Sequence, residues 1–156
     1  MARNENRAKG PVAVLGRKSY TREEVDACRA ALDQALAAHA ALTDAVAAAT
    51  PADKVAAALE ELDGVLFNDL LLVLDRWFVH RLRGITGKDA TPLNEVELIS
   101  DSLRDNRGIF QGNNVIRYVP EQAVVGLRPG DRIRLSRQDF ERLAGGTFAE
   151  LEEKYL

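Results

Sequence analysis

Three side chains on one stretch of the chain have the types that acid–base or phosphate chemistry needs: Asp69, Arg76 and His80. They stand seven and then four residues apart, so on a helix they line up along one face. A histidine oriented by a carboxylate moves a proton near neutrality, and an adjacent arginine steadies an anion. The other histidine, His39, occupies an apolar position of the preceding helical stretch. Together with the single tryptophan, Trp77, it marks a second candidate, a small-ligand pocket beneath the central helix. A third set, Arg117, Arg132 and Arg134 with Arg128 and Arg137, is locally basic and is the candidate nucleic-acid surface. Asp131, Asp139 and Glu141 offset much of that charge.

Other chemistries lack their signatures. Two histidines 41 residues apart and one cysteine make no standard metal-ligand spacing, and HExxH is absent, so no metal site is expected. There is no G-x-S-x-G elbow. Gly87-Lys88 is followed by Asp89 and comes after a helix, not a strand, so it is not a phosphate loop. No cofactor motif is present, and none is expected to be bound. Glu60-Glu61 and Glu95/Glu97 fall on faces expected to meet solvent. Cys28 reads as a small buried hydrophobe, with no activating base near it in sequence.

The elements that carry these residues are legible in part. Thr21-Arg22-Glu23-Glu24 is a capping box. After it Val25, Cys28, Leu32, Leu36, His39, Leu42 and Val46 recur at helical spacing to about Ala49. Thr50-Pro51-Ala52-Asp53 restarts a helix that runs to about Arg83, with Gly84 as its stop. The short connection predicts an antiparallel hairpin. The second helix holds the most apolar run, Val65 to His80. As a regular α-helix it places Leu66, Phe67, Leu70, Leu71, Val73, Leu74, Trp77, Phe78 and Leu82 on a wide apolar arc. Asn68, Asp69, Asp75, Arg76, His80 and Arg83 fall on the other face, with Leu72 and Val79 among them. Gly64 allows a close neighbour or a bend.

Thr91-Pro92 opens a third helix with Leu93, Val96, Ile99 and Leu103 inward, and Asn106-Arg107-Gly108 closes it. From Ile109 to Leu135 short β-favouring runs alternate with Gly, Asn and Pro, which predicts a small β-hairpin-like excursion. Ser136 caps a terminal segment whose Gly145-Gly146, followed by Thr147-Phe148-Ala149-Glu150, allows one bent helix or two short ones.

At 156 residues, 46% hydrophobic and 29% charged, the chain suits one domain with its own core. The net charge of −3 gives no global pull toward nucleic acid or an acidic membrane. The apolar run is broken by Asn68, Asp69 and Asp75 and is shorter than the roughly 20 residues a membrane span needs. A single cysteine and no apparent signal peptide make a cytoplasmic location the expectation. Residues 1–20, with Arg3, Arg7, Lys9, Arg17 and Lys18 against Glu5, read as a flexible basic tail on a single helical domain at 21–156. The fold expected is mainly α: an antiparallel bundle of about four helices with the excursion at 109–135.

Two resemblances add to this. Arg76-Trp77-Phe78-Val79-His80 resembles the Arg-x(4–6)-His motif of the HEPN ribonuclease domains, which are all-α dimers. In that family the Arg and His converge across the dimer on the RNA phosphate and 2′-hydroxyl. Here three residues separate them, and Trp77 replaces the polar residue that usually follows the Arg. Phe67-Asn68-Asp69, Phe78-Val79-His80-Arg81-Leu82, Gly87-Lys88-Asp89, Pro92-Leu93-Asn94-Glu95-Val96 and Pro129-Gly130-Asp131 resemble a family of uncharacterised actinobacterial proteins. That likeness implies no activity. The leading expectation is a non-enzymatic helical module that forms a homo-oligomer, a dimer, through part of the arc at 66–82. A nucleic-acid-acting helical protein and a small-ligand-binding domain are the alternatives.

Overall fold

The computed structural model describes residues 19–50 and 53–156. Residues 1–18 of the tail expected over 1–20, and Pro51 of the second cap, lie outside the described residues; Tyr20, at the end of that expected tail, is instead buried in the body. Four helices make the body: α1 (Arg22–Ala48), α2 (Asp53–Leu74), α3 (Pro92–Asp105) and α4 (Arg137–Lys154). After Leu74, α2 continues through a π-turn at Asp75–Val79 and a last α-turn at His80–Leu82. Among the described residues no helix is long and apolar enough to cross a membrane.

The ends follow local chemistry. Thr21 Oγ1 accepts from the Glu24 amide at 3.2 Å, and the Glu24 carboxylate accepts from the Thr21 amide at 3.0 Å. Ser136 and Asp139 repeat this box on α4, and Thr91 caps α3 ahead of Pro92. Gly84 leaves α2 at φ +80°, a conformation that suits glycine.

α2 is the central element and packs on the other three helices. Tyr20, just before α1, stacks edge-on against Phe78 near the end of α2, while His39 meets Phe67 in its middle, so α1 and α2 are antiparallel. Phe67 faces Phe140 and Phe78 faces Phe148, so α2 and α4 run in the same direction. Asp75 meets Arg104 while Thr86 meets Asn94, and Leu93 meets Glu150, so successive helices alternate in direction and α2 and α4 are parallel as in an up-down-up-down bundle. Residues 106–136 form the long return from α3 to α4. Phe67, Leu71, Leu74, Phe78, Leu93, Ile99, Phe140, Leu143 and Leu151 form the shared core.

The β-hairpin-like excursion expected at 109–135 is not formed. That return contains one isolated bridge, Ile109 with Arg132, and no strand. Its polar backbone groups are held from the helices instead of by a ladder. Glu95 of α3, expected at solvent, is buried and accepts from the Val124 and Val125 amides at 2.7 and 2.9 Å. Asn68 of α2 donates to the Ile133 carbonyl at 3.0 Å and accepts from the Leu135 amide at 3.1 Å. One side-chain amide thus does what a neighbouring strand would do.

The choice between one terminal helix and two resolves to one. Gly146 lies where a Cβ would come 2.9 Å from Pro92 Cγ, so the glycine serves the α3–α4 contact rather than a break. Thr147 is not a cap; its hydroxyl is buried and donates to the Leu143 carbonyl at 2.8 Å. Glu150 reaches across to accept from the Leu93 amide at 3.1 Å in the first turn of α3.

Candidate functional site

The π-turn decides which residues of the central run face outward. An i→i+5 turn spends one extra residue, which sets the following side chains back by about 100° on the helix wheel. Val79, expected on the polar face, is fully buried. Trp77, expected in the apolar arc, is 37% exposed. Asp75, expected at solvent, is 2% exposed. Val73 is exposed as well, although it lies before the turn.

The turn is held at both sides. The Tyr20 hydroxyl donates to the Phe78 carbonyl within it at 2.9 Å. Asp75 accepts from Arg83 Nη2 at 3.3 Å and from Arg104 Nη1 at 2.7 Å. Asp101 closes the ring, 2.7 Å from Arg83 Nη2 and 2.7 Å from Arg104 Nη2. Two carboxylates and two guanidinium groups thereby tie the end of α2 to α3. The sequence reading missed this ring. Its only local signal was Asp75 inside an aliphatic run, because Arg104 comes 29 residues later. Glu97 lies half-buried near the ring. Burial raises its carboxyl pKa above the ordinary value, helped by Asp101 and Asp75 and opposed by Arg83.

Arg76 and His80 are both exposed and line one cleft of about 400 Å³ with Leu72, Asp75, Arg83, Arg104 and Asp105. Asp69 is not in it. Asp69 lines a neighbouring shallow depression of about 330 Å³ with Leu72, Val73, Arg76 and Trp77. Arg76 is common to both hollows, while Asp69 and His80 share neither. Among the described residues, Asp69 and Arg76 form no ion pair with each other, so the carboxylate–arginine–histidine line is not assembled. The cleft favours an anion only weakly. Two of its guanidinium groups are already satisfied by carboxylates, and it sits at the C-terminal, electronegative end of α2.

The other candidates are dispersed. His39 is nearly buried between α1 and α2, its Nε2 2.6 Å from Asp63 Oδ1 and its ring 5.0 Å edge-on from Phe67. Its Nδ1 is buried without a hydrogen-bond partner. Phe67 and Trp77 are ten residues apart on α2, about 15 Å along the axis. His39 and Trp77 therefore do not line a common pocket. Arg117, Arg132 and Arg134 are exposed, and Arg134 is engaged with Glu61 at 3.4 Å. Its guanidinium also lies 3.0 Å from where a Gly64 Cβ would stand, which gives that glycine its packing reason. Arg128 and Arg137 are paired with Glu121 and Glu141. Cys28 is fully buried, and burial pushes its thiol up to about 12. Among the described residues no group of three or more His, Cys, Asp or Glu could hold a metal ion.

What remains on the outer face of α2 is apolar. Leu62, Val65, Val73 and Trp77 are all exposed, Val65 by 57%, and they follow one another at helical intervals. Asp69 and Arg76 interrupt that stripe. Comparison with protein-family models, with curated proteins and with solved structures returned no match.

Proposed function

We propose that this protein is a non-enzymatic helical interaction module that self-associates through the outer face of α2. One observation carries the reading: the exposed stripe of Leu62, Val65, Val73 and Trp77. Single exposed apolar residues are ordinary, but several on one face of a helix mark an interaction surface. Trp77 strengthens it, since aromatic residues are over-represented at the centres of interfaces.

The test is the oligomeric state of the full chain. Sedimentation equilibrium is expected to show a reversible, concentration-dependent dimer, and Val73→Glu is expected to abolish it. A strictly monomeric wild type removes the reading.

A second reading has one observation in its favour. Arg76 and His80 line the same cleft, which suits contact with a nucleic-acid phosphate. RNA cleavage or binding by the purified chain that is lost in His80→Ala supports it, and cleavage that survives the substitution removes this mechanism.

A further inference from the structure

The charges that interrupt the apolar stripe are placed symmetrically about Leu72 and Val73. Asp69 lies three residues before Leu72, and Arg76 lies three residues after Val73. Leu72, Val73 and Trp77 line the depression between them. A two-fold interface places the same patch on both partners, so residue i meets j while j meets i. A patch with a carboxylate at one end and a guanidinium at the other is therefore complementary to itself when reversed, and repels itself when parallel.

We infer that two copies of this chain associate as an antiparallel, two-fold pair of α2 helices centred between Leu72 and Val73, with Asp69 of each copy against Arg76 of the other. This arrangement rests on the self-association reading above and gives it a register. Antiparallel packing about that centre pairs position 69 with 76 and 72 with 73. The apolar middle is then Leu72 and Val73 from both copies. The Val65 end of one stripe lies toward the Trp77 end of the other. Two reciprocal ion pairs flank the apolar middle.

The occupant is a second copy because of this charge pattern. Asp69 and Arg76 are exposed, and neither has an ion pair among the described residues, so both are available. The stripe from Leu62 to Trp77 runs about 22 Å along one helix. That is small for an obligate dimer, and a dissociation constant in the micromolar range is expected.

The experiment compares wild type, Asp69→Arg, Arg76→Asp and the double variant D69R/R76D by sedimentation from about 1 to about 300 µM, a range that brackets this affinity. Far-UV circular dichroism confirms the fold of each. Each single reversal makes both flanking pairs like-charged and is expected to weaken the dimer by about tenfold or more. The double variant restores both pairs in reversed sense and is expected to dimerise within about threefold of wild type. An equimolar mixture of the two single variants brings an all-cationic stripe against an all-anionic one and is expected to associate as a heterodimer.

The other outcomes overturn the proposal, and they do so distinguishably. A wild type that stays monomeric throughout removes the register and the self-association reading together; this includes a face covered by the chain's own N-terminal segment. A wild type that dimerises while the single reversals have no effect, or the double variant fails to recover, removes this register alone. A dimer broken by Leu42→Glu, at the exposed tip of the α1–α2 hairpin, but indifferent to the charge reversals places the contact there instead.

Discussion

Asp75 illustrates how much a single residue carries here. Its carboxylate is almost fully buried and is balanced by two guanidinium groups that are about a third exposed. Removing its charge leaves Arg83 and Arg104 with one carboxylate, Asp101, between them. Breaking a buried pair from one side is costly, and partial exposure of the arginines discounts it, so Asp75→Asn is expected to cost about 2–4 kcal/mol. Asp101 meets the same arginines but is itself about a third exposed, so Asp101→Asn is expected to cost less than half as much. Urea unfolding of both variants checks the order. Glu97 makes the opposite case. Its carboxyl pKa is raised in the fold by burial, Asp101 and Asp75, so its favourable contribution is complete below the unfolded carboxyl pKa of about 4.3 and is lost as pH rises through the folded value. Glu97→Gln should therefore stabilise the protein at pH 7 and give no gain at pH 4. Denaturation at the two pH values measures the difference.

At the scale of elements, the return from α3 to α4 depends on side chains rather than strand pairing. Asn68 is the clearest instance. Asn68→Ala leaves the Ile133 carbonyl and Leu135 amide without their partner, at a cost of about 1–3 kcal/mol. Hydrogen exchange should show it locally: the Leu135 amide is expected to lose protection while amides in the middle of α4 change only with global stability. Equal loss across the chain would mean that the return has no independent opening. α2 shows how an element can be read correctly in type and wrongly in phase. Its existence, its length and its glycine stop were all visible in the sequence. The π-turn was not, because the groups that hold it, the Tyr20 hydroxyl and the Arg104 guanidinium, lie far away in the chain. A shift of one residue then moved Val79 inward.

For the whole molecule, self-association and stability are one equilibrium. A dimer that forms only between folded chains stabilises them by mass action, so the melting temperature should rise with protein concentration. The rise is expected between low and high micromolar chain and should vanish in Val73→Glu, as differential scanning calorimetry at several concentrations would record. A concentration-independent melting temperature for wild type would count against the association. Cooperativity across the body is expected from α2, which contacts each of the other helices.

By itself the sequence determined whatever depends on near neighbours: the capping boxes at Thr21 and Ser136, the proline start at Pro92, the glycine stop at Gly84, the inward stripe of α3 and that of α1 as far as His39, Leu42 beyond it being exposed. Those signals act within one helical turn, so local spacing suffices to read them. It also presented Asp69, Arg76 and His80 as one line, which holds only for an unbroken α-helix. The tertiary structure decided the rest. It withheld the strands from 109–135, since Glu95 and Asn68 satisfy that backbone from other helices. It separated His39 from Trp77, drew Asp75 into an ion ring with α3, turned Val79 inward at the π-turn, and left an apolar stripe with one carboxylate and one guanidinium on the outside of α2. Each of these depends on partners brought close only by folding, and residue spacing along one segment contains no record of them.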